Sequence, residues 1–160
     1  MKSKITPCLW FDSEAEEAAR YYTGIFPDSK ITAITHYAQE HYGKPAGSVL
    51  VVAFELRGQS FTALNGGPFF KINEAVSFEV ACEDQAEVDY YWEKLSAGGP
   101  VEAQQCGWVK DKYGVSWQVV PKILIELIND PDPTKAQRAF QAMLQMKKLD
   151  VAALERAVAG

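Results

Sequence analysis

Apolar and polar positions along this chain fall into a pattern that occurs twice. Ile5-Thr6-Pro7-Cys8-Leu9-Trp10-Phe11 reads as a short strand, and after Asp12-Ser13 the residues Ala15, Ala18, Ala19, Tyr22 and Phe26 recur at spacings of three and four, the apolar face of one helix. Ser13 with Glu16 has the form of a capping box at its start. Later, Val76-Ser77-Phe78-Glu79-Val80-Ala81-Cys82 repeats the strand, Asp84 with Glu87 repeats the cap, and a helix is predicted over 85–95. The two cap residues lie 71 positions apart in a chain of 160. A chain made of two copies of one unit can enclose a cavity between them, so the repeat itself suggests where a site lies.

Each helix is followed by strands. In the first copy these are 31–37, Val49–Leu56 and 60–64, with a polar loop over 38–47 and a tight turn at Arg57-Gly58-Gln59. Asn65-Gly66-Gly67-Pro68 then breaks the chain. In the second copy Gly98-Gly99-Pro100 ends the helix, and strands are predicted over 101–104, 107–110 and 115–120, the last two joined by the turn Asp111-Lys112-Tyr113-Gly114. From Pro121 onward the pattern changes to helices over 123–128, 134–147 and 151–158, with Asp132-Pro133 as a start signal and Asp150 as an N-cap. The apolar positions Phe140, Met143, Leu144, Leu149 and Leu154 of this tail require cover, either from the sheet or from a second subunit. The expected fold class is α+β: two βαβββ repeats, about 1–68 and 69–120, forming one domain, with a helical extension over 121–160.

Composition narrows the function classes. Nearly half of the residues, 48%, are apolar, enough for a real core. Sixteen basic residues against 21 acidic ones give a net charge of −5, and no basic run exceeds Lys147-Lys148. That argues against a nucleic-acid partner. No stretch approaches the roughly 18 apolar residues of a membrane span, so a soluble, cytoplasmic protein is expected. Cys8, Cys82 and Cys106 are odd in number and show no CxxC spacing, which fits free thiols rather than a disulfide or zinc framework.

Ile5-Thr6-Pro7 with Leu9-Trp10-Phe11-Asp12, Phe26-Pro27-Asp28-Ser29, Leu64-Asn65-Gly66-Gly67-Pro68, Cys106-Gly107-Trp108 and Ser116-Trp117-Gln118 carry a resemblance to a known family. The chain resembles the vicinal oxygen chelate superfamily, the glyoxalase, bleomycin-resistance and extradiol-dioxygenase fold, and within it the PhnB-like branch whose members often carry the label 3-demethylubiquinone-9 3-methyltransferase domain. The resemblance implies that the paired units form a cup-shaped mixed sheet, and that the protein is a homodimer. It also implies a test. Superfamily enzymes hold a divalent metal with His or Gln, Glu, His and Glu on the first and last strands of the two units. Carried over, those positions fall among Ile5, Thr6 and Pro7, near Phe61 or Ala63, on Ala75 and on Gln118. Apolar side chains do not ligate such ions, and Gln118 is a neutral, weak substitute for a carboxylate, so no metal and no other cofactor is expected. The methyltransferase label lacks a Gly-rich strand-to-helix turn of the kind that holds a nucleotide-type cofactor.

Alternation places Thr6, Cys8 and Trp10, then Phe61, Ala63 and Asn65, then Ala75, Ser77, Glu79 and Ala81, then Ser116, Gln118 and Val120 toward the cup. The helix-covered sets are then Ile5, Leu9 and Phe11 in the first strand and Val76, Phe78, Val80 and Cys82 in the fifth. The candidate ligand-binding residues are therefore Cys8, Trp10, Asn65, Ser77, Glu79, Trp108 and Gln118. This inventory suits a small, partly aromatic or cationic molecule. Glu79 is either a ligand acceptor or base, or a carboxylate that is solvated or paired with Lys110 or Lys112. Trp108 either stacks on a ligand or packs. His36 and His41 flank the polar loop, as solvated histidines or as a loop-borne base. Three functions follow: a small-molecule-binding protein without the superfamily's metal ligands, a metal-independent isomerase, lyase or transferase using Glu79, Cys8 or a loop histidine, or a structural or regulatory dimer.

Overall fold

A computed structural model describes residues 4–160, and the chain divides into two compact units, Met1–Ile72 and Asn73–Gly160. The first unit contains β1 (Cys8–Phe11), α1 (Ala15–Ile25), β2 (Lys30–His36), β3 (Val49–Leu56) and β4 (Gln59–Asn65). Its sheet has the order β1-β4-β3-β2, with β1 parallel to β4 and the other neighbours antiparallel. Arg57 and Gly58 both take positive φ, 47° and 86°, as a two-residue hairpin turn requires. That turn sets the register in which Phe54 faces Phe61.

Helix α1 buries one face of this sheet. All five apolar helix positions read from the sequence, Ala15, Ala18, Ala19, Tyr22 and Phe26, are buried. Tyr22 stacks on Phe54 at 6.3 Å, and Phe54 stacks on Phe61 at 5.4 Å. Leu9, Phe11, Val52, Leu56 and Ala63 complete this core. Phe61, Ala63 and Asn65 thus lie beneath the helix, the reverse of the orientation expected from the sequence, and Thr62 and Leu64 share the opposite face with their β1 partners Cys8 and Trp10. The register gives the reason: Phe61 and Ala63 face the buried Phe54 and Val52 of β3, whose single polar residue, Glu55, lies on the opposite face with Ser60. Ile5, expected in the core, precedes β1 and is 81% exposed.

The second unit contains β5 (Ser77–Cys82), α2 (Gln85–Ser96), β6 (Trp108–Lys110), β7 (Ser116–Pro121), α3 (Lys122–Ile128), α4 (Pro133–Leu144) and α5 (Val151–Ala159). Its sheet has the order β5-β7-β6, with β5 parallel to β7. The strand expected over 101–104 is a single 3₁₀ turn, Val101–Ala103, in which the amides of Ala103 and Gln104 donate to Pro100 and Val101 carbonyls. Val101 is 60% exposed, so no sheet face rewards an extended conformation there. Val76, expected beneath α2, is likewise exposed before β5 begins.

The α2 cap forms as expected, Asp84 accepting from Glu87 N while Glu87 reaches back to Glu83 N. The α1 cap does not. Ser13 makes no side-chain cap, Glu16 pairs with Arg20, and the amide of Ala15 donates instead to Asn65 Oδ1 at 2.8 Å.

The C-terminal helices pack into the second unit. Leu149 and Leu154, both fully buried, close a cluster with Leu124 and with Val120 at the end of β7, and Met143 and Met146 pack against it. Full burial of a leucine contributes about 1.5–3 kcal/mol. The amides of Cys106 and Gly107 donate to the carbonyls of Met146 and Lys147, which fixes the tail to the turn before β6. Gly107 has φ 84°, and a Cβ there would sit 2.9 Å from Leu149 Cδ1, so glycine lets the tail close down on that turn. Phe140 and Leu144 stay partly exposed.

Candidate functional site

A cleft of about 490 Å³ opens in the first unit, where the ends of β1, β2 and β4 meet two connecting segments. Its floor is Leu50, Leu64 and Gly66; its walls are Trp10, His36, Tyr37, His41, Tyr42 and Phe69. Two features hold Trp10 in place. Its Nε1 donates to the Gly67 carbonyl at 2.8 Å, and the ring lies so close over Gly66 that a Cβ there would be 2.2 Å from Trp10 Cζ2. The break at Asn65-Gly66-Gly67-Pro68 is therefore more than a turn: the Gly66 amide extends the parallel ladder by donating to Phe11, while its bare α-carbon makes room for the indole. Phe70 meets the other side of Trp10 edge to face at 5.0 Å.

The opposite wall is built by the polar loop. Tyr37 Oη donates to the Asn65 carbonyl at 2.6 Å, and the Tyr37 backbone pairs with Ser48 and Gly47. His41 and Lys44 exchange backbone hydrogen bonds around Tyr42 and Gly43, both with positive φ, and this tight turn projects Tyr42. The His41 ring lies 4.4 Å from Tyr42 and 6.0 Å from Tyr37, and Tyr42 meets Phe69 at 5.7 Å. The nearby carboxylates are engaged: Glu40 accepts from Gly43 N, and Asp12 pairs with Lys44 at 2.8 Å.

Of the seven candidate residues, Trp10 lines this cleft. Cys8 lies on the same sheet face but is exposed outside it. Asn65 stands behind it, on the helix side: besides capping α1, its Nδ2 donates to Val49 O at 3.0 Å, so both ends of the amide hold the scaffold. The other four gather on one face of the second sheet. Trp108 on β6 faces Gln118 on β7, Gln118 faces Glu79 on β5, and Gln118 Nε2 donates to Ser77 Oγ at 2.9 Å. Lys110 pairs with Glu74 rather than with Glu79, and this hydrogen bond holds the Glu74 carboxyl below its ordinary value.

The sequence reading missed Tyr37, Tyr42 and Phe69, and left His36 and His41 without neighbours. The available signal was aromatic residues placed in or beside loops, where no helix or strand periodicity calls for them.

The metal positions implied by the superfamily do not fit. Among the described residues no group of three or more His, Cys, Asp or Glu side chains converges. On the open face of the first sheet the neighbours of Phe61 and Ala63 are Thr62 and Leu64, neither of them a carboxylate, and Gln118 already donates to Ser77.

Residues 3–120 match the family described as 3-demethylubiquinone-9 3-methyltransferase. Among solved structures, the PhnB protein from Bacillus cereus is 34% identical, with 74% of this chain and 99% of that one covered and a TM-score of 0.66. A Staphylococcus aureus protein is 32% identical over 74% of this chain and 95% of its own, with a TM-score of 0.34. Protein PA1353 from Pseudomonas aeruginosa, 18% identical over 75% of this chain and 98% of its own, shares the fold at a TM-score of 0.60. No functionally curated protein matches the chain.

Proposed function

The chain belongs to the PhnB-like, 3-demethylubiquinone-9 3-methyltransferase family, and from that premise we propose that it binds a small, flat aromatic molecule in the cleft beside Trp10. The observation that carries this reading is the cleft itself, about 490 Å³ walled by Trp10, Tyr37, Tyr42 and Phe69. That volume lies within the roughly 300–1,000 Å³ of small-molecule sites, and aromatic walls favour stacked or edge-on rings. Trp10 is fixed by Gly66 and Gly67 before any ligand arrives, which lowers the ordering cost of binding. The family name points to a quinone-derived ring as substrate, and such a ring is flat, with oxygen substituents at its edge. The strand-to-helix connections Asp12-Ser13-Glu14 and Glu83-Asp84, and the direct passage from Pro121 to Lys122, contain none of the glycines of a nucleotide-type cofactor turn, so binding rather than methyl transfer is the reading we adopt.

A second reading, a metal-independent enzyme, is favoured by one observation: both His36 and His41 line the cleft, within reach of whatever the aromatic walls hold. Fluorescence titration and thermal-shift measurement against quinones, hydroquinones and bicyclic aromatics tests binding. Saturable quenching and a raised melting temperature, both lost in Trp10→Ala, support the site; binding undiminished in Trp10→Ala would place the ligand elsewhere. Turnover of a bound compound that disappears in His36→Gln or His41→Gln would favour the enzyme.

A further inference from the structure

The polar groups of the cleft are unevenly chosen. His36, Gln39 and His41 line it, and neither imidazole has a hydrogen-bond or ion-pair partner among the described residues. The Trp10 N–H and the Tyr37 hydroxyl are already engaged by Gly67 and Asn65 carbonyls. No carboxylate lines the cleft, and the two that flank its loop, Asp12 and Glu40, are held by Lys44 and by the Gly43 amide. The groups left for a ligand are therefore two imidazoles, an amide and the Tyr42 hydroxyl, each able to donate a hydrogen bond, on a background of aromatic faces. The charge balance of the chain points the same way. Acidic and basic residues balance within residues 1–72, so the net −5 arises entirely from residues 73–160 and the cleft's own unit does not repel an anion.

We propose that the cleft selects flat aromatic molecules bearing an anionic oxygen, a carboxylate or a phenolate, over neutral or cationic molecules of the same shape. The inference rests on the binding function proposed above and adds the ligand's chemical class. The aromatic walls take the ring; His36, His41 and Gln39 donate to the oxygen. An ammonium ligand would gain cation–π contacts with Trp10 and Tyr42, but the lining residues offer it no carboxylate, whereas an anionic oxygen would receive charge-assisted hydrogen bonds.

The test uses three ligands on one skeleton, 2-naphthoate, 2-naphthamide and 2-naphthylmethylammonium, titrated against the full chain by tryptophan fluorescence and calorimetry. Naphthoate should bind on the order of tenfold tighter than the amide, with the ammonium weakest. In the double variant His36→Phe/His41→Phe, which keeps the rings and removes their N–H groups, the preference for naphthoate should collapse while naphthamide binding persists. Equal affinity for naphthoate and naphthamide, a preference for the ammonium, or an undiminished preference in the double variant would overturn the ligand class while leaving the aromatic cleft intact. Absence of binding by all three at millimolar concentration would instead overturn the binding function on which the inference rests. The wild-type comparison stands without the variant, so a misfolded double variant does not remove the test.

Discussion

Trp10 and Gly66 fit together as ring and gap: the indole occupies the space a Cβ on Gly66 would need, 2.2 Å from Trp10 Cζ2, and its Nε1 is tied to the next carbonyl along. The strand that supplies Trp10 to the cleft's wall and the loop that supplies Gly66 to its floor are thus one mechanical element.

Gly66→Ala should expel the indole from its seat. Overpacking of this kind costs about 1–3 kcal/mol. A lowered melting temperature, a red-shifted tryptophan emission and loss of aromatic-ligand binding are the expected results. Ligand binding unchanged in this variant would mean that Trp10 does not shape the cleft.

Asn65→Ala removes the acceptor for Ala15 N and the donor to Val49 O together. Loss of a helix cap together with the hydrogen bond to a half-buried carbonyl costs roughly 2–4 kcal/mol. Denaturant titration should show that loss, whereas Ser13→Ala, at the cap position suggested by sequence, should change stability by less than about 0.5 kcal/mol.

Cys82 is fully buried, and desolvation, reinforced by Glu87 and Asp84, pushes its thiol up to about 12. In the unfolded chain a thiol ionises near its ordinary value of about 8.5. Between those two values the unfolded chain releases a proton that the folded one retains, so this contribution is fully present below the lower value and is lost as pH rises toward the upper one. Stability measured across the alkaline range should fall less steeply in Cys82→Ala, by up to one proton per molecule. Under native conditions a thiol reagent should modify the exposed Cys8 rapidly and Cys82 only on unfolding.

Leu149→Ala should cost about 2–5 kcal/mol, because the side chain is fully enclosed by Val120, Leu124 and Leu154 and lies against Gly107. Phe140→Ser, on the same tail at 45% exposure, should leave the melting temperature nearly unchanged. Equal effects from the two would show that the tail does not form part of the core.

Much of this architecture was legible in the sequence wherever a local rule and the tertiary environment agree. The α1 face from Ala15 to Phe26, the Asp84, Asp132 and Asp150 caps and the hairpin turn at Arg57-Gly58 are decided by neighbours a few residues away. The cap on α1 was not legible, because Asn65 supplies it from 50 positions downstream and a plausible local cap, Ser13, was available. The β4 faces misled for a related reason: Asn65 shares the parity of Phe61 and Ala63, and only its contacts with Ala15 and Val49, distant in sequence, show why an amide belongs on the covered face. The aromatic cleft was half visible. Trp10 and the two histidines stood out as residue types, but only the turn at Tyr42-Gly43 and the seat at Gly66 bring them to the same place. The Val101–Ala103 segment reads as a strand from composition and lacks a surface to bury against.

The burial of Leu149 and Leu154 within the second unit sets a timetable for synthesis. A chain emerging at roughly 5–20 residues per second presents everything the first unit needs by Ile72. The second unit's core stays open until its last helix arrives, some four to sixteen seconds later at those rates. In the later part of that interval the turn before β6, Val120 and Leu124 have been made but are uncovered, and they are the surfaces a nascent-chain chaperone or a stray hydrophobic contact would meet first. A ribosome stalled within the tail would therefore release a protein with one finished half and one adhesive half.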